Sequence, residues 1–159
     1  MRVYLDNAAT TPIAQEVVDA MVDVMQNDFG NPSSTHFYGR QVKALIETSR
    51  RKIANYLNCS SSEIIFTSGG TEADNMALFS AVNDLGVKRI ISSSIEHHAV
   101  GHSVEALIKQ NTIVFDSVKL DSKGHVDLTH LETLLQENIP TLVSLMHANN
   151  EIATLLPLN

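Results

Sequence analysis

The chain has 159 residues, of which 43% are hydrophobic and 18% are charged, and its formal net charge is -7. This composition is typical of a globular protein with an apolar core, and it excludes a disordered chain. The negative charge, with no basic run longer than Arg50-Arg51-Lys52, argues against nucleic acid or an anionic membrane as a partner.

Cysteine usage and hydropathy bear on the setting of the chain. Cys59 is the one cysteine, so no internal disulfide can form, which favours a reducing compartment. Asp6 and Asn7 interrupt any apolar signal core near the N-terminus. No apolar run approaches the ~18 residues that a membrane span needs. We therefore expect a cytoplasmic protein.

The first third of the chain predicts an arm and two helices. Residues 1–12 read as an N-terminal arm, whose Thr11 and Pro12 suit the N-cap and first position of a helix. Apolar residues at helical spacing then predict a helix from Ile13 to about Asp28. Residues 30–35 have the composition of a loop. A second amphipathic helix is predicted over residues 37–57.

Residues 63–75 predict a strand, a glycine turn and a helix. Residues 64–66 are an apolar run that suggests a buried strand, and Gly69 and Gly70 break it before a helix that opens at Thr71. Free backbone N–H groups and the positive end of the helix dipole would form an anion site there, with the Thr71 hydroxyl beside it. The alternative is a plain helix start, since Thr71 and Asp74 also fit a capping box.

Strands and helices alternate in the rest of the chain. Strands are predicted at residues 89–93, 112–115 and 141–146, and helices at 99–110 and 128–135, the latter capped by Asp127. The strands are apolar runs, as expected where both faces of a sheet are covered. The fold class predicted is therefore α/β, with a mostly parallel sheet and helices on both faces.

Three polar groups follow predicted strands, at residues 68–71, 96–98 and 149–151. In a parallel sheet all three would lie at one edge, where ligands of α/β proteins bind. An anion cradle, an imidazole and an amide suit a flat phosphorylated cofactor better than a metal ion. Two alternatives stay open: His98 and His102 could bind zinc as an i,i+4 pair, and Asn149-Asn150 could be a simple turn. Neither GxxxxGK[ST] nor GxGxxG is present.

Five motifs in order resemble those of the cysteine desulfurases, which are pyridoxal-phosphate enzymes of the class V aminotransferase group with the fold type I architecture. The motifs are YLDNAATTP at residues 4–12, GNPSS at 30–34, FTSGGTE at 66–72, EH at 96–97 and NNEI at 149–152. By this resemblance, residues 13–159 would be the N-terminal part of the large cofactor-binding domain. The rest of that domain and the small domain would lie outside the chain.

The resemblance also implies roles for individual residues. Gly70 and Thr71 would hold the phosphate of pyridoxal 5'-phosphate, and Asn150 would hydrogen-bond the phenolic oxygen of its ring. His97 would stack on the pyridine ring and assist proton transfer, which makes it the catalytic candidate. L-Cysteine would be the substrate, a homodimer the assembly, and a sulfur-acceptor protein a further partner, with sulfur serving iron–sulfur or thio-cofactor assembly.

Some family residues have no match in the chain. The Ser-x-His-Lys segment with its Schiff-base lysine, the aspartate for the pyridine nitrogen and the sulfur-accepting loop cysteine are not found, and Cys59 is not at the position of the last. Ala153 also stands where the family usually has glycine. We therefore expect the chain alone to be inactive. A truncated non-catalytic gene product and another class V enzyme, such as a selenocysteine lyase, are the alternatives.

Overall fold

A computed structural model describes residues 1–110 and 113–157 of the chain. The helices are α1 (Gln15–Asn27), α2 (Phe37–Tyr56), α3 (Gly70–Asn83), α4 (His98–Lys109) and α5 (Leu128–Leu135), with a 3₁₀ turn at Ser61–Glu63. The strands are β1 (Arg89–Ser92), β2 (Val114–Ser117) and β3 (Thr141–Val143). The chain divides into two compact units, Met1–Phe66 and Thr67–Asn159. The division into an arm and a cofactor domain stays a prediction.

The first unit contains α1 and α2. Helix α1 begins at Gln15, and its N-cap is Ala14, which provides no side-chain hydrogen bond. The predicted start at Thr11 and Pro12 is therefore wrong, because Ala14 is still non-helical, with φ and ψ of -59° and 141°. No described residue of α1 is buried, so its apolar face is open in this structure.

Helix α2 begins at Phe37, as predicted, and packing against the preceding loop fixes this start. The Nδ1 atom of His36 accepts a hydrogen bond from the Gly39 N–H at 3.4 Å, which caps the helix. A Cβ atom on Gly39 would clash with two backbone carbonyl oxygens, those of Ser34 and Asn31, and would lie 2.6 Å from the latter. Only glycine fits at residue 39, because backbone atoms occupy the space that a side chain needs.

The strand predicted at residues 64–66 is wrong. These residues are assigned to no strand, and Ile65 is 64% exposed. The Arg50 guanidinium donates to the carbonyl oxygen of Ile64 and lies 4.7 Å from the ring centroid of Phe66. The segment is thus held by an arginine side chain of α2 and not by hydrogen bonds to another strand. Its apolar composition alone does not distinguish these two arrangements.

The second unit is built on a parallel sheet in the order β2-β1-β3. All four residues of β1 are buried, whereas β2 and β3 are outer strands with exposed or half-buried side chains. The strand predicted at 112–115 is displaced to Val114–Ser117, and its residue 112 lies outside the described residues. The last strand ends at Val143, earlier than predicted.

Helices α3 and α4 cover one face of this sheet. The core cluster comprises Leu78, Val82, Ile90, Val100, Val104 and Leu107. On the other face, Arg89 Nε donates to Asp116 at 2.6 Å and Arg89 Nη1 donates to the Leu134 carbonyl at 2.9 Å, which ties α5 to the sheet. The prediction of a parallel α/β sheet with helices on both faces is confirmed. In the part of the chain that the structure describes, no helix is long and apolar enough to span a bilayer.

Candidate functional site

A cleft of about 220 Å³ lies beyond the carboxyl ends of β1 and β3. Its lining residues come from the loop after β1 with the first residue of α4, and from the loop after β3. They are Ser94, Ile95, Glu96, His97 and His98, and Asn149, Asn150, Glu151 and Ile152. The sheet therefore brings together two of the three polar groups that the sequence singled out. An edge formed by the ends of parallel strands is where ligands of open α/β folds bind.

His97 is held in the cleft by its own backbone turn. It is the N-cap of α4, and its Nδ1 atom accepts a hydrogen bond from the Ala99 N–H at 3.1 Å. A neutral imidazole that accepts at Nδ1 carries its proton on Nε2. The ring is exposed, so one flat face and one N–H donor remain available to a ligand.

Asn150 occupies the exposed position of a turn that Asn149 fixes. The Oδ1 atom of Asn149 accepts from the N–H groups of Glu151 at 2.8 Å and Ile152 at 2.9 Å, and its Nδ2 donates to the Ile95 carbonyl at 2.8 Å. Asn149 is 9% exposed, whereas Asn150 is exposed. Asn149 therefore builds the turn, and Asn150 is an exposed residue in the lining of the cleft.

Helix α3 begins with an open N-terminus. Gly69 is the N-cap and provides no side-chain hydrogen bond, and a Cβ atom on Gly69 or Gly70 would meet nothing within 4 Å. The alternative interpretation, a capping box of Thr71 and Asp74, is wrong, because Gly69 is the N-cap and the helix starts before Thr71. Glu72 instead accepts from Ser68 N at 2.6 Å and Ser68 Oγ at 2.7 Å. The first-turn N–H groups of α3 remain free for an anion.

A short chain of hydrogen bonds connects this helix start to α4. Asn75 Nδ2 donates to the Thr71 carbonyl at 2.6 Å, and Ser103 Oγ donates to Asn75 Oδ1 at 2.6 Å. Ser103 is 3% exposed, so the end of the link at α4 is shielded from water, whereas its end at Thr71 is exposed. Gly70 and Thr71 are not among the residues that line the cleft, but α3 is fixed against the helix that begins beside His97.

The Glu72 carboxylate makes the helix start sensitive to acid. Hydrogen bonds from the backbone and the hydroxyl of Ser68 lower the pKa of Glu72 from its ordinary value of 4.5. Since the folded pKa is depressed, this contact stabilises the fold above pH 4.5 and is lost as the pH falls through the folded pKa. We expect Ser68→Ala to move the pKa of Glu72 towards its ordinary value, as measured by carbon NMR of the carboxyl group. Ser122→Ala is the control, and an equal shift there would contradict the assignment.

The zinc alternative finds little support in the geometry. The His98 and His102 rings lie 5.8 Å apart, centroid to centroid, and are stacked. Among residues 1–110 and 113–157, no group of three or more His, Cys, Asp or Glu side chains is placed to hold a metal ion. Two histidines without a third protein ligand do not make a structural zinc site.

Comparison with known proteins assigns the chain to a family. The aminotransferase class-V model matches residues 3–159. The chain therefore belongs to the class-V aminotransferase family, and the resemblance read from its motifs is confirmed at that level.

The relatives it matches are cysteine desulfurases and similar proteins. The cysteine desulfurase IscS of Dictyoglomus turgidum is 45% identical over 161 residues, which cover 98% of this chain and 40% of that protein. The solved structure of a NifS-like protein superposes with a TM-score of 0.91 at 38% identity, over 99% of this chain and 43% of the other. SspA in complex with cysteine superposes with a TM-score of 0.83 at 29% identity, over 97% of this chain and 44% of the other. The chain thus spans about 40% of the length of the curated relatives it matches.

Proposed function

We propose that the chain is the N-terminal part of a pyridoxal-phosphate-dependent cysteine desulfurase. The observation that carries the proposal is the cleft in which His97 and Asn150 lie together at the edge of a parallel sheet. The similarity to proteins named cysteine desulfurase supports it. The proposal extends to a cytoplasmic homodimer that passes sulfur to an acceptor protein for iron–sulfur or thio-cofactor assembly.

The residues of the chain fit the proposed cofactor. Gly70 and Thr71 supply free N–H groups and the positive end of a helix dipole, which suit a phosphate, and the missing Cβ of Gly70 leaves room for it. Asn150 offers an amide donor for the ring's phenolic oxygen. His97 offers a flat imidazole for stacking on the ring, with a proton on Nε2. The Glu72 carboxylate lies in the same first turn, where it accepts hydrogen bonds from the N–H and the hydroxyl of Ser68.

Bound in this way, pyridoxal phosphate would supply an electron sink for cleaving the carbon–sulfur bond of L-cysteine. The chain's own residues would orient the ring, and His97 would donate or accept a proton through Nε2 within the cleft. In the overall reaction, L-cysteine becomes L-alanine and its sulfur is carried away as an enzyme persulfide. The lysine and the cysteine that the family uses are not among the residues of the chain.

Product analysis with L-cysteine tests the proposal. The complete enzyme is expected to form alanine and, with a reductant, sulfide in equal amounts, whereas the 159-residue chain alone is expected to form neither. Turnover of L-selenocysteine but not L-cysteine would assign the chain to a selenocysteine lyase instead. Alanine formation by the chain alone would contradict the predicted inactivity.

A further inference from the structure

Two buried or half-buried residues tie the loops of the cleft together, and neither was assigned a role by its sequence motif. Glu96 follows β1 and its Oε1 accepts from the Met146 N–H at 2.9 Å, in the loop after β3. Asn149 lies in that second loop, and its Nδ2 donates to the Ile95 carbonyl at 2.8 Å, in the first loop. Both bonds are donated by the second loop and accepted by the first, but the Glu96 side chain reaches from the first loop and the Asn149 side chain from the second. Each loop therefore holds the backbone of the other.

These residues stand immediately before the two groups that a ligand would meet. Glu96 precedes His97, and Asn149 precedes Asn150. Adjacent residues share a peptide plane, so fixing the side chain of one restricts the backbone that carries the next. The pair of loop-to-loop bonds, which we call the loop clamp, therefore sets the separation of the imidazole and the amide.

The orientation of the Asn149 amide is determined by its partners. Two backbone N–H groups, of Glu151 and Ile152, require an oxygen acceptor, and the Ile95 carbonyl requires an N–H donor. Glu96 is fixed as well, since its Oε1 also accepts from Ser93 Oγ at 2.8 Å. Glu96 Oε1 and both amide atoms of Asn149 thus have hydrogen-bond partners, which favours a rigid network.

We propose that Glu96 and Asn149 are positioning residues of the cofactor site, which act by fixing the distance between His97 and Asn150. This inference rests on the proposed function for the identity of the ligand, pyridoxal phosphate. The loop clamp itself does not depend on that identity. Neither residue touches the ring in the proposed arrangement, so a change in either acts through its neighbour.

Asn149→Asp isolates the bond between the loops. The substitution keeps an oxygen for the N–H groups of Glu151 and Ile152 but removes the donor to the Ile95 carbonyl. Without cofactor, the Met146 amide is expected to exchange about tenfold faster, because the remaining bond opens more readily, while the Glu151 and Ile152 amides keep their rates. The affinity for pyridoxal phosphate is expected to fall about tenfold.

Three comparisons separate positioning from general damage, all on the complete enzyme. The affinity for inorganic phosphate is expected to be unchanged, because the helix start at Gly70 lies outside the loop clamp; an equal loss for both ligands would overturn the proposal. Glu96→Gln, which keeps the acceptor oxygen, is expected to bind pyridoxal phosphate within about twofold of wild type, and Glu96→Ala about tenfold more weakly. Asn138→Asp, an exposed position, controls for the added charge.

The binding measurement tests the identity of the ligand, whereas the exchange measurement tests the loop clamp, so one claim can be wrong while the other holds. If the unmodified enzyme bound no pyridoxal phosphate, the proposed function would be wrong, and the Met146 exchange rate would still decide whether the loop clamp exists. An unchanged Met146 rate in Asn149→Asp would overturn the clamp, whatever the ligand. Equal affinities of Glu96→Gln and Glu96→Ala for pyridoxal phosphate would also overturn it.

Discussion

Gly70→Asp is expected to weaken the binding of pyridoxal phosphate by about a hundredfold. The carboxylate would stand in the first turn of α3, where the proposed phosphate site lies. Two unit charges about 4 Å apart repel by between ~1 kcal/mol in water and ~4 kcal/mol near a protein surface, and ~2.8 kcal/mol corresponds to a hundredfold change. A titration followed by the absorbance of the cofactor measures the effect.

Gly70→Asn is the matched control for this variant, because it has the same size without the charge. A Cβ atom at residue 70 meets nothing within 4 Å, so neither change should disturb packing. An acidic residue in the first turn of a helix even stabilises the helix. The difference between the two variants is expected to shrink at high salt, as repulsion between exposed charges does. Equal affinities of the two variants would place the phosphate elsewhere.

Ile90→Ala is expected to lower the free energy of unfolding by about 3 kcal/mol. Ile90 is 0% exposed at the centre of the sheet and belongs to the cluster that α3 and α4 form with β1. Truncating a buried isoleucine costs roughly 2 to 5 kcal/mol, because transfer free energy is lost and a cavity remains. Urea unfolding of the variant and the unmodified chain, followed by circular dichroism, measures the difference.

Ile65→Ala provides the comparison on the surface. Ile65 is 64% exposed, so the same substitution is expected to change stability by less than about 0.5 kcal/mol. If Ile90→Ala fails to fold, Ile90→Val, with an expected cost of about 1 kcal/mol, replaces it. A loss at Ile65 as large as that at Ile90 would show that the core is assigned to the wrong residues.

The elements of the fold could be predicted where short-range chemistry decides them. Helical spacing of apolar residues predicts each of the five α-helices found among the described residues. Asp127 caps α5 through its Oδ1 atom, which accepts from the His130 N–H at 3.0 Å. The apolar run at residues 64–66 predicts a strand that does not form, because an extended segment becomes a strand only when another strand pairs with it. Arg50 supplies the partner instead, and its position depends on how α2 folds back.

The sequence also predicts part of the candidate site, namely the residues that a ligand would contact. The polar groups after two strands predicted that His97 and Asn150 would meet, and they line one cleft. The roles of Asn149 and Glu96 were not predicted, since adjacent identical or charged residues do not reveal which side chain is buried. The signal that could have found Asn149 is the doublet itself: in a tight turn, one asparagine commonly bonds the backbone ahead of it. Whether the site holds the proposed cofactor stays a prediction.

The order of the strands also sets the order in which the cleft can form. Strand β1 pairs with both β2 and β3. The segment that connects β1 to β3 is roughly twice as long as the one that connects β1 to β2. Doubling the length of a loop adds about 0.6 kcal/mol to the entropic cost of closing it. Pairing of β1 with β2 is therefore favoured early in folding, and β3 joins the sheet later. Because Asn149 and Asn150 follow β3, the wall that they form is completed last. A nascent chain would have most of its core before it could hold a ligand.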